Sequence, residues 1–196
     1  MSQNAFSAGV EPGGLYSRND IELLICYMLL SVEEPIEREA VLEIVAGNGM
    51  ANFFESGAAI DELLRLGNLT ESGTGGLSLS EKGRAATATL YDRLPYTLRE
   101  RSVKAAVQLL SRRRNEREND VRVVDTADGC TVICSINDAD RPLMEVSLRV
   151  ADTMQGQLIR DRFLDDPTLL YRSLIAVLTG DAALQPDGRQ IVIRLP

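Results

Sequence analysis

The sequence predicts an α+β protein, in which a helical first half precedes a second half built around an antiparallel meander. Three observations lead to this class. Apolar residues recur at helical spacing through most of residues 16–119, whereas from residue 120 onward they alternate with polar residues. The 196 residues are 44% hydrophobic and 26% charged, which is ordinary for folded domains with an aliphatic core.

The first half begins with three predicted helices. The first has Asn19 or Asp20 as its cap, and its apolar face is formed by Ile21, Leu24, Ile25, Met28 and Leu29. The second ends in "GNG", and its apolar residues are Ala40, Val41, Ile44 and Val45. The third runs from about Ala51 to Leu66, and its inner side is predicted to hold Phe53, Gly57, Ile60, Leu63 and Leu64. The opposite side of this third helix would then be exposed.

A hairpin follows the third helix. "NLTE" and "LSLS" are two short strands around a glycine-rich tip at residues 73–76, and Ser80 is placed to cap a fourth helix that continues to Leu94. After Pro95, the spacing of Thr97 and Glu100 fits a capping box. It predicts a connecting helix whose apolar face is formed by Val103, Ala106, Val107 and Leu110.

In the second half, the sequence pattern predicts a sheet followed by helices. "VRVVDT", "CTVICSIN" and "PLMEVSLRVAD" predict three antiparallel strands, with turns at "ADG" and "DADRP". A helix interrupted near Pro167 and ended by Gly180 comes next, and "RQIVIRLP" predicts a last strand. If that strand joined the same sheet in parallel, its crossover would be right-handed.

The order of elements in the first half resembles winged helix-turn-helix domains of bacterial transcriptional regulators. Residues 16–94 carry the resemblance, and "LSLSEKG" is similar to the strand-to-helix phrase that follows the wing in those domains. The wider chain, through "NFF", "LLRLGNL", "RLPYTLRE" and the strands from Val121, is similar to a family of uncharacterised clostridial (Firmicutes) proteins. In that family a winged helix precedes a small, strand-rich C-terminal domain.

The resemblance implies a dimeric DNA-binding regulator with the third helix as its recognition helix. A cytoplasmic location is expected because the first fourteen residues have neither the basic head nor the apolar block of a signal peptide. Asparagine and arginine can read base edges, and hydroxyls can contact phosphates. The residues expected to contact DNA are Asn52, Phe54, Ala58 and Arg65 on the helix, Ser72 and Thr74 on the wing, and Arg112, Arg113 and Arg114 at the basic end of the connecting helix. For each group a structural role is the alternative: a solvated helix face, a plain hairpin, or a helix end that satisfies its dipole.

The distribution of charge along the chain favours a second hypothesis about function. Residues 1–90 hold 5 Lys and Arg against 13 Asp and Glu, whereas residues 91–120 hold 8 against 5. An acidic first half disfavours contact with phosphates. The alternative hypothesis is therefore a winged-helix module that binds a protein and not DNA.

The residue inventory disfavours an enzyme. The chain has no histidine, which removes histidine bases, Ser-His-Asp systems and histidine-containing zinc sites. Its three cysteines cannot form a four-thiolate site, and Cys130 and Cys134 would lie about 13 Å apart along a strand. We therefore expect free thiols, no metal, no cofactor and no catalytic residue.

Four regions are expected: a flexible tail at 1–15, the winged helix at 16–95, a connecting helix with a basic end at 96–119, and a dimerisation or sensing domain at 120–196. The longest apolar run, "LLICYMLL", is too short to span a bilayer, so no membrane partner is expected. The expected dimer surfaces are the connecting helix and the C-terminal helix with Leu169, Leu170, Leu174 and Val177. Packing of both helices against their own sheet is the alternative, and an effector is left open.

Overall fold

The protein has an α+β fold, as predicted. The computed structural model describes residues 8–126, 129–138, 141–180, 182–184 and 191–193. These residues form seven α-helices and a set of small antiparallel sheets. The chain divides into two compact units, Met1–Leu109 and Leu110–Pro196, which are described separately below. Within the described residues, no helix combines the length and the hydropathy needed to cross a bilayer.

The first unit consists of helices and a three-stranded sheet. Its helices are α1 (Arg18–Val32), α2 (Arg38–Gly47), α3 (Phe53–Arg65), α4 (Glu81–Leu90) and the first part of α5 (Tyr96–Glu118). Its strands are β1 (Ile36–Glu37), β2 (Leu69–Glu71) and β3 (Gly76–Leu79), in the order β1-β3-β2. Only β1 was not predicted, because two residues are too few to show an alternating pattern. Ile36 pairs with Leu77 and thereby attaches the hairpin to the segment between α1 and α2.

Two predicted helix caps are wrong. Ser17, and not Asn19 or Asp20, is the N-cap of α1, and its carbonyl accepts the first backbone bonds of the helix. The predicted capping box of Thr97 does not form, because α5 already begins at Tyr96. The fixed φ of a proline suits a helix start, and the carbonyl of Pro95 accepts bonds from the amides of two residues in the first turn.

The fourth helix is shorter than predicted. It ends at Leu90, and a short 3-10 turn at Tyr91–Arg93 follows. Leu94 is extended, with φ −80° and ψ 139°. A residue before proline is sterically disfavoured in the helical region. Pro95 therefore makes Leu94 extended, whereas the prediction had continued the helix through Leu94.

The residues predicted to form the buried faces of α1 and α2 are buried, together with Cys26 and Leu42, whereas the buried faces of α3 and α5 differ from the prediction. In α3 the buried residues are Ser56, Ala59, Ile60 and Leu63. Phe53 is 54% exposed, although it was predicted to face inward. In α5 the buried residues are Leu98, Ser102 and Ala106. Both stripes contain a buried serine whose hydroxyl bonds a backbone carbonyl of its own helix turn, which hydrophobic periodicity cannot detect.

Part of the expected N-terminal tail contacts the first unit. The amide of Glu11 donates to the carbonyl of Gly49 at 2.9 Å, and the amide of Leu15 donates to that of Met50 at 2.7 Å. The side chain of Leu15 is buried. Residues 1–7 of the predicted tail lie outside the described residues.

The second unit contains the predicted meander. Its strands β4 (Asn119–Thr126), β5 (Gly129–Asp138) and β6 (Arg141–Val150) pair antiparallel in sequence order. Residues 127–128 and 139–140, where the two turns were predicted, lie outside the described residues. The predicted interrupted helix is confirmed as α6 (Thr153–Asp165) and α7 (Pro167–Thr179), and Gly180 ends it in the left-handed conformation.

The last strand does not join the meander in parallel. It is β8 (Ile191–Ile193), which pairs antiparallel with β7 (Ala182–Leu184). Strand β7 was not predicted, because its three residues follow the helix stop too closely to show alternation. The predicted free cysteines are confirmed: Cys26, Cys130 and Cys134 are unpaired and buried.

Candidate nucleic-acid interface

Helix α3 begins at a tightly built cap. The side-chain oxygen of Asn52 accepts hydrogen bonds from the amides of Phe54 at 2.8 Å and Glu55 at 3.3 Å. Its side-chain nitrogen donates to the carbonyl of Ala8 at 2.6 Å, and the residue is only 4% exposed. Both the oxygen and the nitrogen of the Asn52 side-chain amide are thus hydrogen-bonded to backbone groups of the fold. Of the helix residues expected to read DNA, Phe54, Ala58 and Arg65 remain at least partly exposed.

Two aromatic rings project from the first turn of α3. Phe54 is 78% exposed and Phe53 54% exposed, and their rings meet edge to face with centroids 5.7 Å apart. A single exposed apolar side chain is ordinary, but contiguous exposed apolar side chains such as this pair mark candidate binding surfaces. The exposure of Phe54 was predicted from the sequence. That of Phe53 was missed, because an apolar residue in a helix was assigned to the core.

Each carboxylate of α3 is paired with an arginine. Glu55 lies 3.1 Å from Arg18 of α1, and Asp61 lies 2.6 Å from Arg38 of α2. Glu62 accepts two hydrogen bonds from Arg65 within α3 itself.

These arginines change the electrostatics of the helix. Considered alone, α3 carries three carboxylates and one arginine, whereas three arginines balance three carboxylates once Arg18 and Arg38 are included. The hydrogen bond from Arg38 lowers the pKa of Asp61, and that from Arg65 lowers the pKa of Glu62. Arg18 and Arg38 were not among the predicted site residues, since their pairing depends on helices that are distant in sequence.

The hairpin tip is held by its own hydroxyls. The hydroxyl of Ser72 accepts a hydrogen bond from the amide of Gly76 at 3.0 Å, and it lies 2.9 Å from the hydroxyl of Thr74. Gly75 has a φ of +80°, which favours glycine at this position. Ser72 and Thr74 therefore close the turn, and both remain exposed at its surface.

Arg112 is part of an ion-pair network in the second unit. Its guanidinium lies 2.9 Å from Asp161, 3.2 Å from Asp165 and 3.2 Å from Glu116. Beside it, the side chain of Asn115 donates to the carbonyl of Leu164. These contacts attach the end of α5 to α6. The charge of Arg112 is thus balanced by three carboxylates.

The two following arginines differ from Arg112 in exposure. Arg113 is half-buried and Arg114 is exposed, and both also interact with other groups of the protein. All three arginines belong to the second unit, whereas α3 and the hairpin belong to the first. The described structure therefore brings Phe54, Ala58 and Arg65 together on one helix and places Ser72 and Thr74 on the hairpin that follows it.

Comparison with known proteins gives one match. The family described as "Domain of unknown function (DUF4364)" matches residues 21–178, which include most of both units. No curated protein and no solved structure matches the chain.

Proposed function

The chain belongs to the DUF4364 family, and we propose that it is a dimeric, DNA-binding transcriptional regulator of the cytoplasm whose helix α3 enters the major groove. In this proposal the exposed side of α3, with Phe54, Ala58 and Arg65, faces the base edges. Phenylalanine and alanine suit the methyl group of thymine, and arginine suits guanine. The residues at the start of a recognition helix are those that reach deepest into the groove.

The architecture of the first unit supports this proposal. Helices α2 and α3 follow each other closely, and a hairpin comes directly after α3. Strand β1 pairs with β3 and fixes the hairpin to the helices. We interpret residues 16–95 as a winged helix, with residues 72–75 at the tip of its wing.

The observation that carries the proposal is the pairing of every α3 carboxylate with an arginine. An unpaired acidic face would repel the phosphates that flank the groove. Arg18, Arg38 and Arg65 remove this obstacle, and their side chains are 39%, 31% and 68% exposed. The side of α3 that would face DNA therefore carries no net negative charge.

Helix α7 supports a dimer. It carries a single charged residue, Arg172, and exposes Leu169, Ile175, Val177 and Leu178. A helix that is apolar around most of its circumference is normally covered. We propose a second copy as its cover, because a two-fold dimer presents two recognition helices to the two halves of an operator.

A second candidate function follows from the aromatic pair. Exposed phenylalanines are the type of side chain that anchors protein interfaces. In this alternative Phe53 and Phe54 enter a pocket of a protein partner, and the ion pairs of α3 form the rim. DNA would not be bound.

Charge substitution tests the first candidate directly. Glu62→Gln frees Arg65 from its carboxylate, so we expect a severalfold rise in affinity for genomic DNA fragments and a salt slope steeper by about one counterion. Glu81→Gln is the matched control, because it removes the same charge from the exposed first turn of α4. The measurement is fluorescence anisotropy across a salt series with the full chain.

A substitution that adds a carboxylate to α3 should have the opposite effect on DNA binding. Ala58→Glu places a carboxylate in the middle of the exposed side of α3 and should weaken DNA binding by about tenfold or more. Ala85→Glu, on the exposed side of α4, should leave it unchanged. Absence of DNA binding by the folded protein at low salt, or an equal gain from Glu62→Gln and Glu81→Gln, would overturn the DNA proposal.

A further inference from the structure

The first unit contains a small cleft away from the exposed side of α3. It lies between α1, the end of α3 and α4, with a volume of about 230 Å³. Leucines and an alanine form its apolar wall, which consists of Leu23, Leu63, Ala86 and Leu90. Its polar lining includes Glu22 and Asn68. The cleft is smaller than the ~300 Å³ at which sites for drug-sized ligands begin, so a ligand would be small.

Asn68 brings an unused hydrogen-bond acceptor to this cleft. Its side-chain oxygen is buried and has no hydrogen-bond partner among the described residues. A buried, unsatisfied polar atom costs stability unless a ligand or another group satisfies it. Because the terminal torsion of an asparagine amide rotates with little restriction, this oxygen can turn toward a ligand in the cleft.

The backbone carbonyl of Asn68 is held by the start of α4. The carbonyl of Asn68 accepts hydrogen bonds from both the amide and the hydroxyl of Ser80. A Cβ added to Gly83 would overlap this carbonyl, so glycine permits α4 to approach it closely. The backbone from which the Asn68 side chain projects is therefore fixed by α4 and the residue that caps it, while the side-chain amide remains able to rotate.

The charged lining of the cleft favours a cation. Asp20 and Glu22 contribute two carboxylates and Arg93 one guanidinium, which gives a net negative charge. Burial, and next the charge of Glu62, raise the pKa of Glu22, while Arg18 lowers it. A positively charged group beside Glu22 would relieve the cost of keeping this carboxylate ionised.

We propose that this cleft binds a small aliphatic amine, whose ammonium group donates to Glu22 and Asn68 while its hydrocarbon part contacts Leu63 and Leu90. Three N–H donors of an ammonium match these oxygen acceptors, and the leucines cover a short alkyl chain. The buried thiol of Cys26 also lines the cleft, and burial raises its pKa to about 12, so it contributes no charge. Binding in this cleft does not depend on the proposed DNA binding.

The test uses n-butylammonium as the probe and n-butanol as its uncharged counterpart. We expect n-butylammonium to shift the methyl NMR signals of Leu63 and Leu90 in a saturable way, with n-butanol binding about tenfold more weakly or not at all. Glu22→Gln should weaken binding of the amine by a similar factor. Glu81→Gln removes the same charge outside the cleft and controls for the general attraction of cations to an acidic protein.

Two further variants test whether the amine occupies the cleft or is only attracted by the negative charge of the protein. Asn68→Ala should fold as well as the parent chain, because the lost oxygen makes no hydrogen bond, and should weaken amine binding severalfold. Ala86→Phe fills the cleft and should abolish binding, whereas Ala85→Phe on the outer side of α4 should not.

Three results would overturn the proposal. They are equal binding of amine and alcohol, an equal loss from Glu22→Gln and Glu81→Gln, and undiminished binding after Ala86→Phe. Thermal melting of each variant checks that it is folded. Because none of these measurements involves DNA, they can fail or succeed independently of the regulator proposal.

Discussion

The two units of the protein differ in how completely they bury their apolar residues. In the first unit the fully buried large side chains come from helices, strands and the loop before α3, and include Ile21, Leu24, Ile36, Ile44, Met50, Ile60 and Leu77. In the second unit the buried cluster consists of Val132, Cys134, Phe163 and Leu164, with partly buried neighbours around it. Met154, Leu158, Leu169 and Leu178 on its helices are more than half exposed.

This difference indicates a difference in role. The first unit has a core of its own, so the surface of α3 is available for binding. The second unit leaves apolar helix surface that a monomer would keep in water at a cost of about 25 cal/mol per Å². A second copy that covers α7 would remove this cost, which is the reason why we place the dimer surface there.

Glycine substitution should produce the largest contrast between the two cores. Gly83→Ala places a Cβ against the backbone oxygen of Asn68, which cannot move without disturbing the hairpin, so we expect a loss of about 1–3 kcal/mol. Gly156→Ala in the second unit meets the ends of side chains, the nearest being a methyl of Val123 at 2.9 Å. Because side chains and not the backbone must move, the loss should be smaller. Denaturant unfolding with hydrogen exchange of each unit measures both.

Gly47→Ala is the control for this pair. It lies at the exposed end of α2, and an added Cβ would meet only a side-chain carbon of Glu43 at 3.9 Å. We expect a neutral or slightly stabilising effect, because alanine favours helix more than glycine does. If Gly156→Ala proved as damaging as Gly83→Ala, the second core would be as rigid as the first and the comparison would fail.

Helix α7 should be the more sensitive of the two predicted dimer surfaces. Val177 is 51% exposed on α7 and Val107 is 50% exposed on α5, so the two form a matched pair. Val177→Asp should weaken dimerisation by about tenfold or more, whereas Val107→Asp should leave it nearly unchanged. Analytical ultracentrifugation over a concentration series measures this. Dissociation by Val107→Asp alone would move the interface to α5.

The smallest effects on stability are expected from substitutions of two carboxylates of the first unit, Asp61 and Glu22, whose pKa values are shifted in opposite directions. Arg38 lowers the pKa of Asp61, so the ion pair stabilises the fold above the ordinary value of 3.8 and is lost as the pH falls through the lowered pKa. Asp61→Asn should therefore cost at most about 1 kcal/mol at neutral pH, because the pair is exposed.

Glu22 should show the reverse behaviour. Burial raises its pKa, so its ionised form costs stability at neutral pH, and this cost disappears as the pH falls through the raised value. Glu22→Gln should slightly stabilise the protein at pH 7 and lose its advantage in acid. Thermal melting of both variants between pH 3 and pH 7 would reveal the crossing trends. Parallel trends would contradict the assignment of opposite shifts.

Local features of the sequence predicted the secondary structure well. The cap at Ser80, the break at Pro167 and the stop at Gly180 all lie where they were expected, because each depends only on a few neighbouring residues. The strands of the meander also follow from alternation within a single segment. Two of the errors concern buried faces, where the hydroxyls of Ser56 and Ser102 donate to backbone carbonyls and allow a serine to lie inside. Another concerns the cap of α5, where the carbonyl of Pro95, and not a capping box at Thr97, accepts the first hydrogen bonds of the helix.

The exposure of the candidate interface was only partly predictable. The helical period of α3 predicted Phe54, Ala58 and Arg65 to lie on its outer side, and all three are at least partly exposed. Asn52 was assigned to that surface, yet its amide caps the helix and bonds the carbonyl of Ala8, a residue 44 positions away. Spacing along the chain contains no information about such a partner.

The sequence by itself determined the α+β class, the order of the elements and the acidic composition of the first half. Only the tertiary structure decided what those charges do, because Arg18 and Arg38 reach Glu55 and Asp61 across gaps of 37 and 23 residues. The same holds for Arg112, which the sequence presents as a free cation and the fold surrounds with three carboxylates. Helical periodicity is a property of neighbours, whereas the balance of charge on a surface depends on which helices meet.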